Sequence, residues 1–220
     1  MLISVCADIS HYQGQCDFQA ARADSLLAVI VKATEGSSLD ARFTDYEASA
    51  QAAGLLRAAY HFGTGDDVPT QAEAFLKAAG DLFQLALDYE REPPAFQRPT
   101  MNIDQAAEFL EYVEKVDGRS PMTYGGDKLR QDIAARPDLW SVFAKSPYWA
   151  PAYGRTTPIM VQPWSTWSLH QYSGDGVVAR NPDGSSLWRT SVKGIGSNLD
   201  LNNWNGSEAG LHRFFGAPPC

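Results

Sequence analysis

The sequence predicts an α/β protein, an irregular (β/α) TIM-like barrel with a reduced set of outer helices. Three observations predict this fold. Short apolar runs alternate with longer amphipathic ones, the short runs are rich in β-branched residues, and about eight strand-like runs occur within 220 residues. Strands that alternate with helices at this spacing are parallel and joined by crossovers, and eight of them favour a closed barrel.

The first half of the chain alternates strands with helices. Strands are predicted at Leu2–Ala7, Leu27–Ala33, Leu55–Phe62 and Leu82–Glu90. The second strand is apolar almost throughout, as expected of a strand covered on both faces. Phe43–Ala53 is predicted as a helix that ends before a capping glycine. A second helix is predicted at Thr70–Ala79, because Thr70 and Glu73 have the spacing of a capping box.

The second half contains fewer helices, which is why we expect the barrel to be irregular. Helices are predicted at Asp104–Lys115, where apolar residues recur along one face, and near Lys128–Ala135. Strands are predicted at Ser120–Tyr124, Tyr148–Tyr153, Ser168–Tyr172 and Gly194–Leu201.

Composition and charge indicate a soluble, single-domain protein, which we expect to be a monomer. Hydrophobic residues make up 44% of the chain and charged residues 20%, which argues against disorder. No linker-like stretch divides residues 1–220, so one domain is expected. The net charge of −8 disfavours nucleic acid as a partner, because phosphate binding needs a surplus of Lys and Arg.

The N-terminus and the cysteines give three further expectations. The opening MLISVCADIS has no basic region and reaches Asp8 early, so it is predicted to be a strand rather than a signal peptide. No apolar stretch approaches the roughly 20 residues of a membrane span. Cys6, Cys16 and Cys220 cannot all pair within one chain, so reduced thiols are expected, although a Cys6–Cys16 bridge stays open.

Four acidic residues fall at the ends of predicted strands. Asp8 ends the first strand, and Asp200 falls at the end of the last. A closed barrel places these strands side by side, so the two residues are expected to be neighbours. Asp88 and Glu90 end the fourth strand two positions apart, and therefore share one face. Their repulsion raises the pKa of one of them, and a protonated carboxyl beside an ionised one is the arrangement that glycosidic cleavage uses.

Aromatic residues near the strand ends favour a sugar ligand. They are Tyr60, Tyr124, Trp149, Tyr153 and Tyr172. Flat rings stack on sugar faces, and phenol hydroxyls bind polar groups. Each ring taken singly is more typical of a core, so the argument depends on their common placement.

Other chemistries find little support in the sequence. It contains no G-x-S-x-G motif, and its four histidines lack the H-x-x-x-H spacing of metal ligands, so no metal and no cofactor are expected. His61, at the end of the third predicted strand, is either a hydrogen-bond partner within the site or a structural histidine.

Taken together, these stretches resemble the glycoside hydrolase family 25 lysozymes, the muramidases of Chalaropsis type. The matching stretches are DISHYQG at 8–14, VKATEG at 31–36, AAYHF at 58–62, LALDYE at 85–90, the pair Trp149 and Tyr153, HQYS at 170–173, and Asp200-Leu201-Asn202. Most are weak singly, but they follow the family's order and cover nearly the whole chain.

The resemblance implies a β/α barrel that hydrolyses the β-1,4 bond between N-acetylmuramic acid and N-acetylglucosamine in peptidoglycan. Glu90 matches the family's proton donor. Asp88 matches the carboxylate that assists the substrate's N-acetyl group or acts as the nucleophile. Asp8 and Asp200 match two further acidic residues, which orient groups and tune charge.

The resemblance also implies a set of substrate-binding residues. This set consists of Tyr60, Tyr124, Trp149 and Gln171. His61 and Tyr153 are predicted to bind substrate in the same site. His170 replaces a frequent Trp, and Pro151 interrupts the usual W-x-A-x-Y stretch. Both are expected in the groove wall, where they bear on subsite preference. Val177–Arg189 is interpreted as an extra loop.

The predicted partner is the glycan strand of bacterial peptidoglycan, so the protein is expected to act on the cell wall. Without a signal peptide it would stay in the host cytoplasm before release if it is a phage endolysin, and otherwise leave by a non-Sec route. A chitinase- or glucosaminidase-like glycosidase and a non-catalytic glycan-binding module are the alternatives. A retaining, inverting or substrate-assisted mechanism stays open, because the sequence does not set the carboxyl separation that distinguishes the first two.

Overall fold

Eight strands close into a barrel, which confirms the predicted fold class. The computed structural model describes residues 1–216, so Cys220 lies outside the described residues. In chain order the strands are β1 (Leu2–Ile9), β2 (Ala28–Glu35), β3 (Ser38–Leu39), β4 (Leu56–Phe62), β5 (Gln84–Asp88), β6 (Met122–Tyr124), β7 (Tyr148–Pro151), β8 (Leu169–Ser173), β9 (Ser191–Val192), β10 (Gly196–Ser197) and β11 (Asp200–Trp204). The barrel consists of β1, β2, β4 to β8 and β11, and β1 closes it by pairing with both β2 and β11.

The outer helices cover one part of the barrel more fully than the other. They are α1 (Phe18–Ala23), α2 (Phe43–Ala52), α3 (Val68–Ala79), α4 (Ile103–Asp117), α5 (Asp127–Ala134), α6 (Trp140–Phe143) and α7 (Glu208–Phe214). Within the described chain no α-helix lies between β7 and β11, as the weak helical pattern there predicts. None of the helices in residues 1–216 has the length and apolarity needed to cross a bilayer.

The last strand runs against the others. The barrel strands β1, β2 and β4 to β8 are parallel, whereas β11 is antiparallel to both β1 and β8. The prediction of a strand at Gly194–Leu201 that ends near Asp200 was therefore wrong, because the barrel strand begins at Asp200. A parallel return needs a crossover, usually a helix. Here β9 and β10 form a small hairpin instead. The chain enters β11 at the end of the barrel where the parallel strands terminate, because Asp200 pairs with Asp8.

Residues of each barrel strand point alternately outward to the helices and inward to the barrel centre. Val29 and Val31 belong to the layer between strands and helices, whereas Ala28 and Ile30 belong to the barrel interior. Both positions exclude water, which explains why this strand is apolar without alternation.

The α3 helix begins two residues earlier than predicted. Asp67 caps it, because its side chain accepts a hydrogen bond from the backbone N–H of Thr70 at 3.0 Å. Pro69 lies in the first turn, where a residue without an N–H costs nothing. The capping-box interpretation of Thr70 was therefore wrong.

Cys6 and Cys16 are both free thiols, so the expectation of reduced cysteines is confirmed for these two. Cys6 lies inside the barrel, where burial and the neighbouring charge of Asp8 raise the pKa of the thiol. Cys16 is half-buried just before α1.

The segment Val177–Arg189 is an irregular loop with an isolated bridge between Arg180 and Ser186. Arg189 anchors its end by donating hydrogen bonds from its guanidinium to the backbone oxygens of Asp24 and Ser4, each at 2.7 Å. The loop is therefore attached to the N-terminal end of the barrel.

A single buried side chain fixes the segment that follows β4. The Oε1 atom of Gln71 accepts hydrogen bonds from the backbone N–H of Thr64 at 3.0 Å and from its hydroxyl at 3.1 Å. The Nε2 atom of Gln71 donates to the backbone oxygens of Thr64 at 3.1 Å and Asp66 at 2.9 Å. Gln71 thus ties α3 to the rim of the barrel.

Gln71→Leu is expected to lower the free energy of unfolding by about 2–4 kcal/mol, because buried polar groups lose their partners. Urea unfolding followed by circular dichroism measures this loss. Gln19→Leu is the matched control, since Gln19 is exposed and donates one hydrogen bond, to Ala52. Its loss should stay below about 1 kcal/mol, and equal losses in the two variants would contradict the role given to Gln71.

Candidate active site

A cleft of about 330 Å³ opens at the end of the barrel where the parallel strands terminate. Every predicted site residue except His61 lines it: Asp8, Tyr60, Asp88, Glu90, Tyr124, Trp149, Tyr153, Gln171 and Asp200. In parallel β/α barrels, active sites are built at this end.

The segment that carries Asp88 and Glu90 leaves the barrel between the two residues. β5 ends at Asp88, because its neighbours end opposite it, at Phe62 in β4 and at Tyr124 in β6. The predicted extension of the strand to Glu90 was therefore wrong. The alternation of side chains nevertheless continues, since Asp88 and Glu90 line the cleft while Tyr89 points to the helices and donates a hydrogen bond to Asp132 at 2.7 Å.

Asp8 and Asp200 face each other across the seam of the barrel. They are directly paired in the β1–β11 register, so the prediction that they are neighbours is confirmed. Because β11 is antiparallel, its first residue lies beside the last residues of β1. The two residues are close because β11 runs in the opposite direction to the predicted strand.

The carboxyl groups of the cleft raise one another's pKa values. Burial, then the charges of Asp175 and Asp200, raises the pKa of Glu90 to about 7. Burial and the charge of Asp175 raise the pKa of Asp200 to about 6. Burial, together with the charges of Glu90 and Asp8, also raises the pKa of Asp88. The cluster therefore holds protons near neutral pH, as general acid catalysis requires.

Asp8 is held by two side-chain amides. It accepts hydrogen bonds from the Nδ2 atom of Asn202 at 2.6 Å and from the Nε2 atom of Gln171 at 2.7 Å. Burial and the charge of Asp200 raise its pKa, and these two hydrogen bonds oppose the rise. Since each carboxylate oxygen accepts from one amide, the ionised form of Asp8 fits this environment.

Asp88 has an oxygen atom free to accept a hydrogen bond. Its Oδ1 atom is buried and has no hydrogen-bond partner among residues 1–216. Lys32 lies in the same cleft, and its positive charge lowers the pKa that burial and the neighbouring carboxylates raise. A buried acceptor without a partner costs free energy unless a ligand pairs with it.

The predicted sugar-stacking rings are mostly hidden. The side chains of Trp149 and Tyr124 are only 2% and 4% exposed, and their ring centroids lie 4.7 Å apart. They form the floor of the cleft and offer little ring face to a ligand. Polar atoms remain at this floor, where the hydroxyls of Tyr124 and Tyr153 donate to the Oε1 atom of Gln171 at 2.7 and 2.8 Å.

Besides the predicted site residues, three positions that were expected near the sugar groove lie away from the cleft. Tyr172 points outward and donates hydrogen bonds from its hydroxyl to Ser4 and to the backbone oxygen of Arg189. His170 also points outward, to the backbone oxygen of Ala152, because its neighbour Gln171 faces the cleft. The expectation that His170 contributes to the groove wall was therefore wrong, and Pro151 does not line the cleft either.

His61 is a structural histidine. Its ring is completely buried, lies between Thr34 and Gln71 at hydrogen-bond distances of 2.8 and 3.2 Å, and stacks on Phe109. Burial lowers its pKa to about 3, so it stays neutral. Of the two roles predicted for His61, a hydrogen-bond partner in the site or a structural histidine, the structure supports the second. His61 does not line the cleft.

Sequence analysis missed several residues of the cleft. Lys32 lies near the end of the predicted second strand and Glu35 just after it, and the two form an ion pair at 2.8 Å. The signal was present, because they are polar residues at the end of an otherwise apolar strand. Asp175, in the loop after β8, and Tyr12, after β1, also line the cleft. Among residues 1–216 no group of three or more acidic, His or Cys side chains is arranged to hold a metal ion.

Comparison with known proteins relates the chain to glycan-cleaving enzymes. Residues 7–180 match the family described as Glycosyl hydrolases family 25. The chain is 25% identical to Lysozyme M1 from Streptomyces globisporus, over 93% of this chain and 68% of that protein. It superposes on a family 25 lysozyme from Aspergillus fumigatus with a TM-score of 0.69 and 26% identity, covering 95% of this chain and 97% of that one.

A further comparison concerns the fold alone. The muramidase from Trichobolus zukalii superposes with a TM-score of 0.75, covering 95% of this chain and 97% of that chain. Its identity of 22% is low, so this likeness supports the barrel fold alone.

Glu90→Gln is expected to raise the free energy of unfolding at pH 8 by about 1–3 kcal/mol. The pKa of Glu90 is raised in the folded state, so the wild type is stabilised at low pH and loses that stability as the pH rises through about 7. Glutamine carries no charge and avoids the loss. Urea unfolding at pH 5 and pH 8 tests this.

The gain should be much smaller at pH 5, where the folded state keeps the Glu90 proton. Glu111→Gln is the control, because Glu111 is exposed on α4, and it should give no comparable gain. An equal gain for Glu90→Gln at both pH values would contradict the raised pKa.

Proposed function

The chain belongs to glycosyl hydrolase family 25, and from that premise we propose that it cleaves the β-1,4 bond between N-acetylmuramic acid and N-acetylglucosamine in bacterial peptidoglycan. As a member of this family it is a glycoside hydrolase. The observation that supports the finer proposal is a cleft lined by both Asp88 and Glu90, in which burial and neighbouring charges raise the pKa of Glu90 to about 7. Its proposed place of action is the bacterial cell wall, and its partner the glycan strand.

Glu90 is proposed as the proton donor. Its pKa of about 7 leaves it largely protonated in mildly acidic solution, so its proton is available to the oxygen of the scissile bond. Protonation of this oxygen allows the bond to the anomeric carbon to break, and the leaving sugar takes the proton. The ionised Glu90 then serves as the base that activates water in the second step.

Asp88 is proposed as the carboxylate that supports the anomeric carbon. Its partnerless Oδ1 atom is suited to accept a hydrogen bond from the substrate's acetamide N–H. That bond would orient the acetamide oxygen to attack the anomeric carbon as the leaving group departs. In the alternative, Asp88 itself attacks and forms a glycosyl–enzyme intermediate. Both routes need Asp88 ionised.

Asp8 and Asp200 are proposed to stabilise the positive charge that develops on the sugar ring. Both line the cleft, and Asp8 is fixed as a double acceptor by Asn202 and Gln171. Fixed negative charge in a partly desolvated cleft stabilises an oxocarbenium-like transition state without reorganisation. We also propose that the sugars on either side of the scissile bond contact Tyr60, Trp149 and the hydroxyls of Tyr124 and Tyr153.

Glu90→Gln is expected to reduce the clearing rate of purified cell walls by roughly 10²–10⁴-fold, the usual contribution of general acid–base catalysis. Glu111→Gln, on an exposed face of α4, should clear as the wild type does. Equal clearing by wild type and Glu90→Gln would contradict the assignment of the acid.

The bond itself is identified by the new reducing ends, through borohydride reduction and sugar analysis. Muramic acid ends are expected, whereas glucosamine ends would make the protein a glucosaminidase. Binding of walls with no clearing by the wild type would make it a glycan-binding module.

Lys32→Met is expected to move the acidic limb of the kcat/KM pH profile to higher pH. Burial and the charges of Glu90 and Asp8 raise the pKa of Asp88, and the cation of Lys32 counteracts them. Without the positive charge of Lys32 the pKa of Asp88 rises, so Asp88 becomes ionised only at higher pH. The alkaline limb, set by Glu90, should move less.

Lys193→Met is the matched control, because Lys193 is exposed and outside the cleft. Hydrolysis rates of soluble glycan strands between pH 3 and pH 9 measure both limbs. An acidic limb that stays in place in Lys32→Met would remove Asp88 from its proposed role.

A further inference from the structure

The cleft exposes one aromatic ring far more than it exposes the rings of its floor. Tyr12 is 70% exposed and lines the cleft, whereas Trp149 and Tyr124 are almost completely buried. An exposed flat ring at the wall of a sugar-binding cleft offers the stacking surface that the floor lacks.

The backbone that carries Tyr12 is fixed at two points. Ser10 and Gln13 form a capping box around this single 3₁₀ turn, with the Ser10 N–H donating to the Oε1 atom of Gln13 at 2.7 Å. His11 is held by Asp40, with 2.6 Å between its Nδ1 atom and the Oδ2 atom of Asp40. A ring on an ordered turn loses less conformational entropy when a ligand binds.

The Tyr12 ring has neighbours on the protein side. The ring of His11 lies against it, with 4.1 Å between the centroids. The Nζ atom of Lys32 lies 5.5 Å from the Tyr12 centroid and is paired with the Oε2 atom of Glu35 at 2.8 Å. An apolar face beside a cation and a carboxylate matches the apolar faces and hydroxyl edges of a pyranose ring.

The cleft continues past this ion pair. A second depression of about 250 Å³ shares Lys32 and Glu35 with the main cleft and extends to His11, Leu39 and Arg98. Arg98 donates hydrogen bonds to Glu35 and to Glu92, so the wall of the depression is tied to the segment that follows Glu90. The binding surface is therefore longer than the space around the catalytic carboxylates.

We propose that Tyr12, with Lys32 and Glu35 at its edge, forms a further sugar subsite. It would hold an N-acetylhexosamine unit of the same glycan strand, beyond the two sugars that flank the scissile bond. The ring face stacks on the Tyr12 side chain, and the hydroxyls bind the ammonium and the carboxylate. This inference rests on the proposed function.

Glycan strands freed of their stem peptides, separated into the shortest cleavable oligosaccharide and longer strands, provide the test. Tyr12→Ala should raise KM for long strands by about 3–10-fold, the usual worth of one aromatic stacking contact. Its kcat should be unchanged, and so should both constants on the shortest oligosaccharide. Tyr12→Phe and Tyr12→Trp should keep the wild-type KM.

Phe83→Ala is the matched control, because Phe83 is an exposed aromatic residue just before β5, at the opposite end of the barrel from the cleft. It should leave both constants unchanged. Equal effects of Tyr12→Ala on short and long strands, or no effect on either, would overturn the subsite. An effect seen only when stem peptides are retained would also overturn it, in favour of a peptide contact.

The two proposals fail in different ways. If the wild type cleaves neither length, the proposed function is wrong and the subsite falls with it. If the wild type cleaves both lengths and Tyr12 makes no difference, only the subsite is wrong. Calorimetric binding of long strands to Glu90→Gln, with and without Tyr12→Ala, gives a second readout that needs no turnover; a weaker affinity supports the subsite, and an equal affinity overturns it.

Discussion

The donor-only indole N–H of Trp149 determines how the cleft is charged. It donates to the Oδ1 atom of Asn202 at 2.6 Å, so the amide must turn its Nδ2 atom toward Asp8. Two tyrosine hydroxyls orient Gln171 in the same way, and its Nε2 atom also points at Asp8. Asp8 is thereby surrounded by donors, and the network favours placing negative charge on it.

This placement of charge separates the roles of the carboxyl groups. Two amide donors oppose the rise that burial and the charge of Asp200 cause in the pKa of Asp8. No such pair of donors reaches Glu90 among residues 1–216, and burial with the charges of Asp175 and Asp200 raises its pKa to about 7. Environments that push the pKa values of neighbouring acids apart are the usual basis of acid and base roles within one site. The barrel seam, where β11 closes on β1, is what brings these environments together.

Much of the site was predictable because strand ends meet at one end of a barrel. This rule located Asp8, Asp88 and Glu90 without any knowledge of distances. It located Asp200 beside Asp8 although the predicted strand direction was wrong, because closure of the barrel alone makes the two strands neighbours. The pattern of apolar residues along the sequence does not show the direction of a strand. Here the hairpin of β9 and β10 takes the place of a crossover helix, so the direction of β11 could not be predicted.

Burial was the property that the sequence could not supply, and it changes what the aromatic residues do. Trp149 and Tyr124 are at strand ends as predicted, yet the narrow barrel forces them into its core, where their polar atoms serve the carboxylates. Tyr12 lies on a short 3₁₀ turn that carries no strand signal, and its ring is the one that remains exposed. Binding energy at a distance from the reacting bond can be used to hold the substrate in the geometry that the chemistry needs. The floor of the cleft is therefore suited to orienting the catalytic carboxylates, and its exposed rim is suited to binding the substrate.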